Sequence, residues 1–320
     1  MSHALHLSTP LIACAVLLDA ALGDPEWLPH PARMIGAAIS RGEKMLHTGI
    51  AIRDLRNGAI LVTSVVGLSV IATWAIIDAC DRISLVFGAF AAVVIAWTTL
   101  ATRGLDDAAR EVQESLLRAD EAGARRAMPA LVGRDPASLD RQAMIRATVE
   151  SVAENSSDGV IAPLMFLFIA GPVGAIAYKA INTLDSMIGY RDERYIWFGR
   201  VAARFDDAAN WIPARFTALC IAAASELWLR RGRTAIAVCR RDARGHESPN
   251  AGYPEAAMAG ALGVQLGGSA VYAGETIERA TLGVAECPST IDDIATARML
   301  FKIAALIAFV TLAVLCAIFV

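Results

Sequence analysis

Charge is scarce in this sequence, and what there is comes in blocks. Asp, Glu, Lys and Arg make up only 19% of the 320 residues, and the net charge is −3. So near-neutral a balance argues against nucleic acid as a partner. Cysteine is sparse and scattered: the six residues, at positions 14, 80, 220, 239, 287 and 316, form no CxxC pair. Neither a zinc site nor a disulfide framework follows, and small apolar side chains inside helices is the simpler role for each. No GKS or GKT follows Gly260, Gly263, Gly267 and Gly268, so these glycines make no P-loop. No G-x-G-x-x-G follows a strand-like run, and no nucleophile elbow surrounds Ser248. The first eight residues hold two histidines and neither Lys nor Arg. Without a basic n-region this segment is expected to be retained rather than cleaved. There is no internal repeat and no low-complexity linker, so one membrane domain over 1–320 is the simplest division.

What fills the chain is apolar sequence. Hydrophobic residues reach 56% and the mean hydropathy is +0.48, above the usual share for a soluble domain. The expected fold is all-α: a polytopic integral membrane protein, some segments broken or re-entrant, with cytoplasmic amphipathic helices. Residues 58–77 and 83–102 read as strong spans joined by a tight polar turn at 78–82. Residues 212–229 and 302–320 read as further spans. Segments 5–22 and 256–272 are marginal, since a bilayer core needs roughly 20 helical residues, and the count is about five to seven crossings. Prolines and Gly23 in GDPEWLPHPARMIG oppose a regular helix, and Trp27 suits the membrane interface. His30, beside prolines, reads as a turn residue. The region 103–158 reads as a cytoplasmic helical loop. Leu105, Ala108, Ala109, Val112, Leu116 and Ala119 recur at helical spacing, with a break at 133–136 and a second helix from about Ala137. Its arginines, with those at 33–56, place both on the cytoplasmic side.

The run 160–181 carries Gly171-Pro172 and Gly174 in its middle. A straight span would put the polar region 182–211 on the far side from Glu150 and Glu154. A broken pair of half-helices would return it, and irregular backbone at membrane depth is tolerated where it lines a protein cavity. The broken form is the one expected here.

The polar residues that flank these runs form three clusters, and such groups beside lipid usually serve function. Glu150 and Glu154 stand i, i+4 on one helix, followed by Asn155 and Asp158. Two carboxylates on one face can hold Mg²⁺ together with substrate phosphates; the plain alternative is a solvated face paired with Arg146. Asn182 and Asp185, then Asp206, Asp207 and Asn210, repeat the i, i+3 or i, i+4 spacing, with Arg191 and Arg194 between. Arginine matches phosphate and carboxylate bidentately. The polar region 240–268 supplies His246, Asn250 and Glu255. The glycines of 256–272 would allow close helix packing or a backbone approach to phosphate.

Five motifs add a resemblance: LLDAALGDPEWLPHPARMIG, LVGRDPASLD, ATVESVAENSSDGVIAPL, KAINTLDSMIGYRDERYIWFGRVAARFDDAANWIPAR and HESPNAGYPEAAMAGALGVQLGG. Over about 18–272 the sequence is similar to the adenosylcobinamide-phosphate synthase family of cobalamin biosynthesis, with ATRGLDDAA following the family pattern only loosely. The resemblance implies a membrane ligase. It would join aminopropanol, or its O-phosphate, to a carboxylate of adenosylcobyric acid through an amide bond. ATP and Mg²⁺ are the implied cofactors, and the carboxylate would be activated as an acyl phosphate. Under this reading Glu150, Glu154, Asp158, Asp185, Asp206 and Asp207 bind metal and phosphate, with Asp206, Asp207 and Glu154 the metal ligands. Arg191 and Arg194 clamp phosphate. Asn155, Asn182, Asn210 and Asn250 orient amides or carboxylates, and His246 or Glu255 is the base. The expected location is the cytoplasmic membrane, with the site facing the cytoplasm, in contact with lipid and with other corrinoid-pathway enzymes. Two rivals stand beside it: a Mg²⁺-dependent prenyl or lipid-diphosphate transferase, which INTLDSMIGYRDE and FDDAAN loosely resemble, and a non-catalytic membrane scaffold.

Overall fold

The computed structural model describes residues 3–25, 30–131, 139–268, 270–272, 275–277, 280–286 and 288–319, with side chains left aside at 270–272 and 275–277. Trp27, the break at 133–136 and Cys287 lie outside these residues. The architecture is all-α, with two short antiparallel β-pairs. Among the described residues five helical runs are long and apolar enough to cross a membrane: Ala51–Ile83, Leu85–Leu117, Arg141–Ile188, Trp211–Leu229 and Ile291–Phe319. The protein is a multi-pass membrane protein. Thr9–Leu22 is apolar but shorter.

The chain forms two compact units. The first comprises residues 1–101, 162–210 and 312–320. It holds α1 (Thr9–Leu22), α2 (Pro31–Leu46), α3 (Ala51–Ile83), α4 (Leu85–Trp97), α8 (Ala162–Ile188) and α9 (Arg200–Ala209). Its core joins Ile35 and Ile39 of α2, Leu61, Val62 and Val65 of α3, Leu184 and Ile188 of α8, and Phe198. The second unit comprises 102–161 and 211–311. It holds α5 (Thr102–Leu117), α6 (Glu121–Ala127), α7 (Arg141–Asn155), α10 (Trp211–Leu229), α11 (Gly232–Asp242), α12 (Gly252–Leu262) and most of α13 (Ile291–Phe319). Strands β1 (Leu266–Gly267) and β4 (Thr281–Leu282) pair, as do β2 (Ala270–Tyr272) and β3 (Glu275–Ile277).

Several boundaries differ from the sequence expectation. The polar 78–82 segment is not a turn. Helix α3 runs through it to Ile83, with Arg82 paired to Asp78 one turn earlier (2.8 Å). The reversal comes at Ser84, whose hydroxyl caps α4 by accepting from the Phe87 N–H. Polar residues at the end of a long helix read like a loop, but nothing in Asp78–Arg82 breaks helical backbone. Within the run Leu85–Leu117 helix α4 itself stops at Trp97, whose indole N–H donates to the Gly23 carbonyl just past α1 (3.0 Å). Helix α2 begins inside the proline-rich loop. Pro31 takes its first position, where a missing N–H costs nothing, and the His30 ring accepts from the Ala32 N–H. Helix α7 starts at Arg141, capped by Asp140; Ala137, where a helix start is expected, lies outside the described residues.

The marginal segment 256–272 is not a span. It begins in α12, an 11-residue helix ending at left-handed Gly263, and continues into β1 and β2. Every residue from Ala256 to Ala261 is buried. Close packing by its glycines is realised: a Cβ on Gly260 would stand 2.8 Å from Ala235 Cα of α11.

Helix α8 is broken, as the Gly-Pro pair requires. Ala170 (φ −140°, ψ 23°) and Gly171 (φ 60°, ψ −161°) leave helical backbone just before Pro172. The freed Val173 N–H is met by the Ala4 carbonyl (3.2 Å), which is how irregular backbone survives at such a site. The Gly171 conformation is one that only glycine adopts readily, and an added Cβ would meet Ala4 O at 2.9 Å. Gly171→Ala is therefore expected to destabilise the folded protein by roughly 1–3 kcal/mol, read as a lower melting temperature in detergent.

Candidate active site

The polar residues of the first unit gather where α8 ends and α9 follows. Tyr178, fully buried in α8, donates its hydroxyl to Asn210 Oδ1 (2.9 Å). Asn210, 1% exposed, donates from Nδ2 to Asp206 Oδ2 (3.0 Å). Asn182 donates to Asp206 Oδ1 at 3.5 Å. Two amides thus converge on one carboxylate from two helices, and a phenol fixes the orientation of one amide. Burial pushes the Asp206 carboxyl above its usual range; the two amides pull it back, and neighbouring Asp207 pushes it up again. Helix periodicity explains the Asp206 and Asn210 pair, four apart across the end of α9. Asn182 reaches them because α8 packs against α9.

The loop 189–199 between these helices is pinned at both ends. A Cβ on Gly199 would stand 1.6 Å from the Ile188 carbonyl oxygen, and one on Gly189 would stand 2.0 Å from Asp185 Oδ1. Asp185 thus lies against the start of the loop. Arg191 is exposed on it. Arg194 is exposed too, but its guanidinium donates to Glu43 Oε1 (2.7 Å), which also accepts from the Tyr195 hydroxyl (2.8 Å). The Arg194 carbonyl meets the His47 ring at 3.0 Å.

The second unit holds the remaining candidates. Glu150 is buried in α7 and accepts from the Gly267 N–H (2.7 Å), whereas Glu154 on the next turn is exposed. The helical face they share by spacing is therefore divided between a sealed and a solvated carboxylate. Asn155 donates to the Ser151 carbonyl (2.9 Å), which ties it to its own helix. Asp158 sits in the π-helical turn Ser156–Ile161 that follows. His246 Nδ1 accepts from the Ser248 N–H (3.0 Å), so the neutral ring carries its proton on Nε2, 3.7 Å from Glu255 Oε2. Glu255 is 5% exposed. The pair has the elements of a proton relay, a histidine of fixed tautomer facing a buried carboxylate. Ser248 accepts from the Asn250 and Ala251 N–H groups (3.2 Å each). It orders the turn that leads into α12, a role that agrees with the absence of a nucleophile motif around it.

Three residues that sequence reasoning passed over stand beside these groups. Tyr178 reads as core in an apolar run, and Glu43 as one acid in a basic loop. Arg215 carried a usable signal, a guanidinium inside an apolar helix. Its guanidinium carbon lies 4.3 Å from the Trp211 ring centre and 4.1 Å from that of Tyr253. It donates to the Trp211 carbonyl (2.6 Å) and to Asn250 Oδ1 (3.4 Å). Lysine at 215 would keep the charge and lose the planar stack. Arg215→Lys is expected to cost about 1 kcal/mol, measured as a drop in melting temperature.

For a metal the donor chemistry is mixed. Among the described residues no three His, Cys, Asp or Glu side chains converge to hold an ion. Mg²⁺ bound with substrate phosphates needs only one or two carboxylates, and Asp206 and Asp207 supply hard oxygen donors that repel each other in its absence. Glu154, the third expected ligand, belongs to the other unit.

Comparison with known proteins bears on these groups together. A family profile described as "CobD/Cbib protein" matches residues 12–301. The chain is 46% identical over 273 residues to a cobalamin biosynthesis protein CobD of Geobacter metallireducens, covering 85% of this chain and 86% of that one. It is 42% identical over 296 residues to a CobD of Citrobacter koseri (92% and 93% covered). It is 40% identical over 304 residues to the cobalamin biosynthesis protein CbiB of Salmonella typhimurium (92% and 93% covered). No solved structure matches significantly. With the profile running through nearly the whole chain and relatives aligned over most of both lengths, this protein is a member of the CobD/CbiB family.

Proposed function

We propose that the protein is the amide-forming enzyme of cobalamin biosynthesis, adenosylcobinamide-phosphate synthase. It joins aminopropanol, or its O-phosphate, to a carboxylate of adenosylcobyric acid at the cytoplasmic face of the cell membrane. Family membership over 12–301 is the observation that carries this reading. The polar groups supply what such a reaction asks of a protein.

A carboxylate is a poor acyl donor at neutral pH, and ATP with Mg²⁺ supplies, when bound, the phosphoryl group and the charge neutralisation that activation needs. Asp206 and Asp207 would hold the cation. Asn182 and Asn210 keep the Asp206 carboxylate oriented, and Tyr178 keeps Asn210 oriented. Exposed Arg191 presents a guanidinium suited to phosphate. The attacking ammonium must lose a proton before it can bond to carbon, and His246 or Glu255 would serve as the base.

The test is purified protein in detergent or lipid discs, given adenosylcobyric acid, aminopropanol or its phosphate, ATP and Mg²⁺, with product read by mass spectrometry. The expected result is a corrinoid heavier by the amine less one water, formed only with ATP and Mg²⁺ present. Diphosphate release from a prenyl donor, with no amide product, would replace this reading with a prenyl-transferase one. No product from the purified chain, restored on adding soluble pathway enzymes, would make it a scaffold.

A further inference from the structure

One polar cavity in the second unit is used by none of the roles above. It measures about 360 Å³, and Gln142, Arg146, Gln265, Gly267, Gly268 and Ser289 line it. Arg146 precedes Glu150 by one helical turn, the spacing at which acid and base pair on a helix. Glu150 turns instead to the Gly267 N–H. Among the described residues Arg146 makes no ion pair and no hydrogen bond, although it is half-buried. Gln142, Gln265 and Ser289 likewise have no side-chain hydrogen bond among the described residues, and Ser289 is only 8% exposed. Gly267 and Gly268 have left-handed backbone (φ +69° and +84°). With no Cβ at either, bare backbone lines that part of the cavity.

We propose that this cavity binds a small phosphate monoester, with Arg146 as its counter-charge. A guanidinium partly withdrawn from water gains from an anion that accepts two parallel N–H bonds. The further donors come from separate segments: Gln142 from α7, Gln265 from the approach to β1, and Ser289 from the chain before α13. Donors from three separate segments suit the three terminal oxygens of a phosphate ester better than the two of a carboxylate. The volume suits a ligand at the small end of the range for bound metabolites. An amino-alcohol phosphate is the member of this class to try first, a choice that rests on the amide-forming reading above.

The experiment is calorimetric titration of the full-length purified chain with aminopropanol O-phosphate, unphosphorylated aminopropanol, inorganic phosphate and ATP. The phosphate ester is expected to bind at least about tenfold tighter than the bare amine. Arg146→Gln should erase that difference and Arg146→Lys should keep part of it. Equal affinity for the two amines, or undiminished ester binding in a folded Arg146→Gln protein, overturns the proposal. So does ATP binding that depends on Arg146 while the small ester never binds. Should Arg146→Gln fail to fold, Gln265→Glu at an exposed position places a negative charge against the ligand, and unchanged ester affinity there overturns it equally. Binding is read without turnover. A chain that makes the amide but shows no Arg146-dependent binding removes the pocket alone, and one that binds the ester but makes no amide removes the reaction alone.

Discussion

Asp206→Asn is expected to reduce amide formation by about 10²–10³-fold, the loss typical when a charged or polar group aimed at developing charge is removed. The substitution is nearly isosteric, so its effect separates charge from shape. In the native arrangement both carboxylate oxygens accept, one from Asn210 and one from Asn182. With asparagine in place one acceptor remains, and a cation loses a hard, charged ligand. Tyr178→Phe is the informative partner. It removes the donor to Asn210 Oδ1 and leaves a buried acceptor unmet, at a stability cost of about 1–3 kcal/mol, while the Asp206 charge survives. Turnover in membranes, normalised to inserted protein by immunoblot, reads the first variant; melting temperature reads the second. Wild-type turnover in Asp206→Asn would reduce the acid to a packing element and withdraw the cation site from this part of the chain.

Gly199→Ala is expected to be the most destabilising single methyl in the first unit. The added carbon would stand 1.6 Å from the Ile188 carbonyl oxygen and 2.6 Å from its carbon, both backbone atoms that have no rotamer to change. A second glycine makes the same kind of approach: a Cβ on Gly58 of α3 would stand 1.9 Å from the Phe198 carbonyl oxygen. The loop 189–199 is thus held between two helices by backbone contact. Relieving the clash at 199 must move α8, the loop or both, at a cost of about 3 kcal/mol, the upper end for over-packing. That is a large part of the marginal stability of an ordinary fold. The internal control is Gly67→Ala on α3, where a Cβ meets nothing within 4 Å and helix propensity favours alanine by about 1 kcal/mol. Melting of the two variants in one detergent should move in opposite directions.

Much of this architecture is legible from apolar run length alone. The runs at 58–77, 212–229 and 302–320 became parts of α3, α10 and α13 because long uncharged stretches have few alternatives. The break in α8 was readable from Gly171-Pro172, since proline removes a donor and glycine permits the bend. Errors fell where composition is shared between environments. Residues 256–262 are small and apolar whether they face lipid or fill a protein core, and only their short length marks α12 as the latter. The polar run 78–82 says that the chain has left apolar surroundings, not that its helix has ended.

In the site, the four-residue spacing of Asp206 and Asn210 was sufficient to group them. Asn182 joined through helix packing, which spacing does not encode. Tyr178 could not be found that way, because the hydroxyl that matters is attached to a ring that reads as core. The pairing of Arg194 with Glu43 joins segments far apart in sequence, and no local pattern announces it.

The bond from Val173 to the Ala4 carbonyl has a consequence for biogenesis. Ala4 leaves the ribosome long before Val173 is made, and most of the first unit's helices lie between them in the chain. The segment that carries Ala4 can therefore make this bond only after the second half of α8 has been made. A bulky group attached close to Ala4 would compete with that late bond.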